Sequence, residues 1–388
     1  MTAAPPRLSL DGVVMTHPRR SHAARALSAA LGDLRVVMDP HPGGSNALIT
    51  SIEAWGAYAP DATHHLVLQD DVIVRSDLLV QARRAVELFP DAALSFYANW
   101  DSLNGAAARL ALMAGCGWVE AVRWEFFPTL ATVLPVRLLD EYGRFAEAAA
   151  QVHFEDDEVL FDFLQVKGVP GYVSVPALVE HGDLTSLVGN PKRRAACYGG
   201  GEPLRGPGQD RLAHSLTLCP FFYRGMAFLL VRVGEPADHA WRYVHWSRGA
   251  PRLGLDPAAL RRRFDREFAA SVAPWASQGQ TEFLFSLWVV ALLLGLIPRT
   301  GHLKTSGPPV SDAPASGATG EADAAQHQAL IAAALGTLAP GALMDSALPD
   351  DSFAGRAEWL LRIAHDGYEA GREVGGDVGG GVGHVGLT

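Results

Sequence analysis

Leu66-Val-Leu-Gln-Asp-Asp-Val72 is an apolar run that ends on two adjacent carboxylates. Together with His65 it is too short for a helix and too apolar for an exposed loop. It predicts a buried strand, His65 to Leu68, that runs into Gln69, Asp70 and Asp71. Two similar runs precede it, Gly12 to Met15 and Leu34 to Met38, and each is followed by a helix-like stretch: the basic, Ala-rich Arg19 to Leu31, then Ala47 to Tyr58. Downstream, Ser76 is placed to cap a helix with Asp77 in its first turn, and Leu78, Leu79, Ala82, Val86 and Phe89 mark one face. Ala93 to Tyr97 reads as a fourth strand. This alternation predicts an α/β fold with a Rossmann-like, mostly parallel sheet, in which ligands bind beyond the carboxyl ends of strands.

Asp70 and Asp71 thus end a strand at the edge where a cleft is expected, with oxygen ligands suited to a hard divalent cation. A second acidic run is His153-Phe-Glu-Asp-Asp-Glu-Val-Leu160, where Phe154, Val159, Leu160, Phe163 and Leu164 keep helical spacing. Its acids fall at the positive end of that helix. Four in a row exceed what the dipole needs, and mutual repulsion raises the pKa of at least one toward a value useful for proton transfer. A third run, Val175-Pro-Ala-Leu-Val-Glu-His-Gly-Asp183, delivers His181, whose imidazole suits an Mn²⁺-like ion. Ser186, Asn190 and the basic residues up to Arg194 follow, with hydroxyls and cations suited to phosphate oxygens. Thr16 and Arg19 leave the first strand, and Asp39 ends the second. Each feature alone has an ordinary structural reading as a turn, a cap or a solvated face.

Taken in order, the features resemble GT-A glycosyltransferases, and in particular the large inverting family with DxD and ED-x-E motifs. The resemblance spans about residues 11–195. It aligns Asp71 with the metal-binding second Asp of the DxD motif and puts Gln69 where the first stands, beside Asp70. It implies Thr16, Arg19 and Asp39 as nucleobase, ribose and phosphate contacts, His181 as a further metal ligand, and Asp156, with Asp157 next in rank, as the base that deprotonates an acceptor hydroxyl. The expected cofactor is Mn²⁺ or Mg²⁺ and the expected donor a nucleoside-diphosphate sugar. A glycan, a lipid-linked glycan or a small molecule would be the acceptor. Aromatics such as Tyr97, Trp100, Trp124 and Phe126 are candidates for stacking on sugar faces. A nucleotidyltransferase is the competing enzyme reading, yet Met15 to Ser21 holds no glycine for a phosphate loop. A sugar-binding scaffold without turnover is the non-catalytic reading.

The rest of the chain bounds these expectations. With 388 residues and 48% hydrophobic content, a full domain with appendages is expected. The net charge of −10, from 32 basic and 42 acidic residues, argues against a nucleic-acid partner. Three scattered cysteines suggest neither a disulfide framework nor a zinc cluster. No leader-like apolar run opens the chain, so a cytoplasmic location is expected. The apolar run Phe283 to Ile297 reads as a core helix, with peripheral membrane contact as the alternative. The expected organisation is a catalytic domain over 1–204, a helical accessory region over 205–302, a flexible linker over 303–325, short helices over 326–374 and a disordered tail over 375–388. Asp256-Pro257 is expected to open a helix in the accessory region.

Overall fold

The computed structural model describes residues 8–41, 43, 46–184, 193–200, 207–234, 240–272, 274–307, 318–349 and 351–378. The chain divides into two compact units: residues 1–99 with 120–205, and residues 100–119 with 206–388.

The first unit starts with β1 (Leu10–Thr16), α1 (Ser21–Ala30), β2 (Arg35–Met38), α2 (Ala47–Gly56), β3 (His64–Gln69), β4 (Val72–Val74), α3 (Leu78–Leu88) and β5 (Ala93–Ser95). α4 (Leu103–Met113) and most of β6 (Trp118–Glu120) belong to the second unit, although the sequence reading kept them in the first. The first unit resumes with β7 (Ala131–Pro135), α5 (Leu139–Ala149), α6 (Asp156–Lys167), β8 (Gly171–Ser174) and β9 (Val179–His181). Its sheet runs β8-β5-β7-β3-β1-β2. Pairing is parallel at β1–β2, β1–β3 and β5–β8, and antiparallel on both sides of β7. The fold is therefore α/β with a mixed, mostly parallel sheet.

The alternating apolar runs became strands because Val13, Val14, Leu66, Val67 and Leu68 are almost fully buried, as expected for strands covered on both faces. On one side, α2, α5 and α6 meet through Trp55, Tyr142 and Phe163, with ring centroids 6.2 and 5.2 Å apart in edge-to-face pairs. The predicted N-cap at Ser76 is displaced by one residue to Asp77, whose carboxylate accepts from the Arg75 and Gln81 side chains instead of from the helix backbone.

In the second unit, residues 205–302 are less helical than the sequence suggested. They hold β10 (Leu212–His214), β11 (Leu218–Tyr223), β12 (Met226–Val233) and β13 (Ala240–His245) before α7 (Trp246–Gly249), α8 (Pro257–Val272) and α9 (Gln278–Leu296). Arg224 and Gly225 both have positive φ, 53° and 73°, the turn that closes a tight hairpin between β11 and β12. Asp256 caps α8 as expected, its Oδ1 accepting from Ala258 N–H at 2.9 Å. α9 is buried over Phe283–Leu296, and 83% of its most apolar window is inside the protein, the behaviour of a core helix. Within the expected linker, β14 (Lys304–Ser306) pairs with β10, and α10 begins at Ala318. Residues 308–317 between them lie outside the described residues. α10 (Ala318–Gly336), α11 (Leu338–Met344) and α12 (Ala357–Val378) complete the unit; α12 takes in residues 375–378 of the expected 375–388 tail, and the rest of it lies outside the described residues.

Candidate functional site

Parallel pairing sets the carboxyl ends of β2, β1 and β3 side by side. Thr16 lies opposite Met38 and Met15 opposite Gln69, so Thr16, Asp39 and Asp70 leave the sheet as neighbours. Asp39 N–H donates to the Thr16 carbonyl at 2.8 Å, and the Thr16 hydroxyl donates to Asp70 Oδ2 at 2.5 Å. β4 starts directly after Asp71 and pairs antiparallel with β9, Val72 opposite His181. That short ladder brings His181 back to the acids: its Nε2 is 3.7 Å from Asp71 Oδ2. The next residue has to be small. A Cβ on Gly182 would stand 2.8 Å from the Asp71 carbonyl oxygen, which already accepts the Gly182 N–H.

Arg20 was missed by the sequence reading, which chose Arg19. Pro18–Arg20 forms a 3₁₀ turn capped by His17, whose ring accepts from Arg19 N–H, and this turn leaves Arg19 exposed while Arg20 enters the cleft. Arg20 Nη1 donates to Asp70 Oδ1 at 3.1 Å and to Asp71 Oδ2 at 2.8 Å. Burial opposes the guanidinium charge, but Asp71 and Asp70 outweigh it and raise the Arg20 pKa. Asp70 is raised too: burial, with some repulsion from Asp71, exceeds the help from Thr16 and Arg20.

The second acidic run opens α6 with Glu155 at the N-cap and Asp156, Asp157 and Glu158 in the first turn. Asp156 is 7% exposed and hydrogen-bonds Thr129, which in turn accepts from Gln69 Nε2 at 3.4 Å. Gln69 is thereby linked through one hydroxyl to the start of α6. Thr129 sits in the loop before β7 and carries no motif that would have singled it out. Asp157 is more open than Asp156, and its Oδ1 accepts from Glu158 N–H at 2.9 Å. Burial, then the charge of Asp156, push Asp157 up to about 7, and burial raises Asp156 as well.

All of these groups line one cleft of about 390 Å³. Every site residue chosen from the sequence and described by the structure lies on it, except Arg19. Ser186 and Asn190 lie outside the described residues. Of the basic string after them, Arg193 lines the cleft, whereas Arg194 donates to the His181 carbonyl and to Asp183. Among the aromatics proposed for stacking, Tyr97 and Phe126 line the cleft and Trp124 does not.

Among the described residues the cleft wall carries six carboxylates (Asp39, Asp70, Asp71, Glu155, Asp156 and Asp157) against two guanidinium groups, Arg20 and Arg193. A doubly charged phosphate ligand meets a repulsive field there unless a cation accompanies it. Two groups fit such a cation. Asp71 Oδ1 is buried and makes no hydrogen bond among the described residues. His181 Nδ1 lies 3.1 Å from the Gly182 carbonyl, and the other ring nitrogen, Nε2, faces Asp71 and is the atom that would meet a cation. Among the described residues no group of three or more His, Cys, Asp or Glu is placed to hold a metal unaided. The donor set fits a cation shared with phosphate oxygens and water, the usual situation for Mg²⁺ and Mn²⁺ beside a diphosphate.

No protein-family model matches the chain, and no curated protein matches it.

His181→Ala is expected to leave stability nearly unchanged, within about 1 kcal/mol, because the half-buried ring gives up one hydrogen bond. Mn²⁺ affinity in the presence of a nucleoside diphosphate should fall at least ~10-fold. A variant that loses several kcal/mol of stability while keeping its Mn²⁺ affinity would make His181 a structural residue.

Proposed function

We propose that the first unit is a glycosyltransferase of GT-A type that transfers a sugar from a nucleoside-diphosphate sugar to an acceptor hydroxyl with inversion. One observation carries this reading: Thr16, Asp39, Asp71, Asp156 and His181, scattered along the sequence, line one cleft at the carboxyl edge of the parallel strands. Chance acidic turns would not converge in that way.

The roles follow from position. Asp39 and Thr16, at the ends of β2 and β1, are placed to meet the nucleoside. Asp71 Oδ1 and His181 Nε2 are the groups that would hold Mn²⁺ or Mg²⁺, which when bound would neutralise the leaving diphosphate. Arg193 adds a positive charge on the same wall. The acid pair of α6 would supply the base. Sequence alone ranks Asp156 first as base, but its carboxyl is deep and tied to Thr129, so we rank Asp157 first as the group that touches the acceptor hydroxyl. Burial, with the Asp156 charge behind it, keeps the Asp157 pKa near the working pH.

The reading is tested by incubating the protein with Mn²⁺ and a panel of UDP-, GDP- and dTDP-sugars and measuring free nucleoside diphosphate. Release from at least one donor, abolished by chelation, is expected. In Asp71→Ala, donor affinity in the presence of Mn²⁺ should drop at least ~100-fold, or about 2.7 kcal/mol. Unchanged affinity in that variant removes Asp71 from the site.

A further inference from the structure

We infer that Arg20 is a built-in stand-in for the divalent cation: it holds the Asp70–Asp71 pair while the cleft is empty, and it must yield Asp71 before a metal can bind. The inference rests on the cleft being a nucleotide-sugar site and concerns what happens there before the donor arrives.

Three observations support it. A single nitrogen, Arg20 Nη1, bridges both carboxylates, 3.1 Å from Asp70 Oδ1 and 2.8 Å from Asp71 Oδ2. These side chains are only 13%, 7% and 11% exposed, so their charges are poorly screened by water and removal of the guanidinium would leave two acids facing each other. Asp71 Oδ1 is buried and has no hydrogen-bond partner among the described residues, while His181 Nε2 lies 3.7 Å from Oδ2, the oxygen that Arg20 holds. Asp71 is therefore half satisfied by Arg20 and half prepared for another cation. A metal drawing on both Asp71 and His181 would sit close to the guanidinium, and two cations in one poorly screened pocket repel. Bound phosphates change the balance, because a guanidinium forms paired hydrogen bonds with phosphate oxygens as readily as with carboxylates. Arg20 is on the 3₁₀ turn immediately after β1, close to where Thr16 and Asp39 place the nucleotide. It can pass from Asp71 to a diphosphate by side-chain rotation. Metal and nucleotide would then bind together, each weakly alone, which is positive coupling between two ligands of one cleft.

The test measures Mn²⁺ binding by titration calorimetry and by the paramagnetic resonance signal of free Mn²⁺, with no sugar donor and no turnover. MnCl₂ alone should bind wild-type protein weakly, and UDP, GDP or dTDP should tighten it at least ~10-fold. Arg20→Gln should bind MnCl₂ alone at least ~10-fold more tightly than wild type, and Asp71→Asn in that background should remove the gain. Arg20→Lys retains the charge and should behave as wild type toward MnCl₂ alone. If Arg20→Gln proves too unstable to titrate, wild-type protein decides the matter with MnCl₂ alone: tight binding without nucleotide overturns the inference. Equal Mn²⁺ affinity in Arg20→Gln and wild type also overturns it. Since no donor is present, loss of this exchange leaves the glycosyltransferase reading standing. Absence of release from every donor, with the exchange intact, would overturn the transferase reading instead.

Discussion

Asp157→Asn should slow glycosyl transfer by at least ~100-fold and up to ~10⁴-fold, the range a positioned general base contributes, while binding of nucleotide and Mn²⁺ stays within about twofold. The amide keeps the shape and the bond from Glu158 N–H but cannot take a proton. In wild type, burial and the neighbouring Asp156 push Asp157 up to about 7, so the base form gains population as pH rises through that value. kcat/KM should therefore climb from pH 6 to 8 with a limb near 7, and Asp157→Asn should lose the limb along with the rate. The sign for stability is opposite. A folded-state pKa above the ordinary carboxylate value favours the fold at low pH, and that advantage is lost as pH rises from about 4 through 7. Asp157→Asn should accordingly be as stable as wild type or more so at pH 8, by about 1 kcal/mol, the usual price of a tuned site. Asp156→Asn should bind donor normally and shift the limb to lower pH, because it removes the like charge that helps raise Asp157. A dead Asp156→Asn beside a fully active Asp157→Asn would restore the ranking read from sequence. Full activity in both variants would rule out base-assisted inversion.

Much of the site was legible because it depends on strand ends. Apolar runs closed by Thr16, Asp39 and Asp70-Asp71 fix which residues emerge at the carboxyl edge, provided the strands are parallel, and alternation with helices makes them so. What was illegible depended on geometry with no sequence period. The 3₁₀ turn over Pro18–Arg20 rotates the chain enough to exchange the roles of two adjacent arginines. His181 was chosen for its order in the chain, but its approach to Asp71 is made by a ladder of three residue pairs between β4 and β9, too short to announce itself. Thr129 enters from the loop before β7, whose antiparallel insertion breaks the repeat that the sequence reading relied on. In the second unit the hairpin signal lay in Arg224-Gly225, where one glycine beside a basic residue does not resemble the usual Asn-Gly turn.

Truncation after His302 should unfold the second unit, because the helices that follow the expected 303–325 linker belong to that unit. α12 packs along α9 with backbone against backbone: Cβ atoms on Gly367 or Gly371 would overlap the carbonyl oxygens of Trp288 or Leu292. The pair is also fixed by Trp288 Nε1 donating to Asp366 Oδ1 at 2.6 Å, a bond made by an indole that is otherwise buried. Removing α12 would expose Trp288, Leu292 and Leu296 on a helix that is apolar on every side, which then has no polar face to turn to solvent. The single substitution Gly371→Ala tests the same contact without deleting anything. The added methyl cannot move aside, because the obstacle is main chain, so the helices must separate at a cost of about 2–3 kcal/mol. For a unit of this size that corresponds to a fall in melting temperature of roughly 4–12 °C. Ser271→Ala, in the exposed part of α8, serves as a control, losing one bond to the Phe268 carbonyl and under about 1 kcal/mol. The readout is thermal unfolding followed by tryptophan fluorescence, together with limited proteolysis of the truncated chain. A truncated protein with a wild-type melting curve and a protected α9 would show that the C-terminal helices are indeed an appendage.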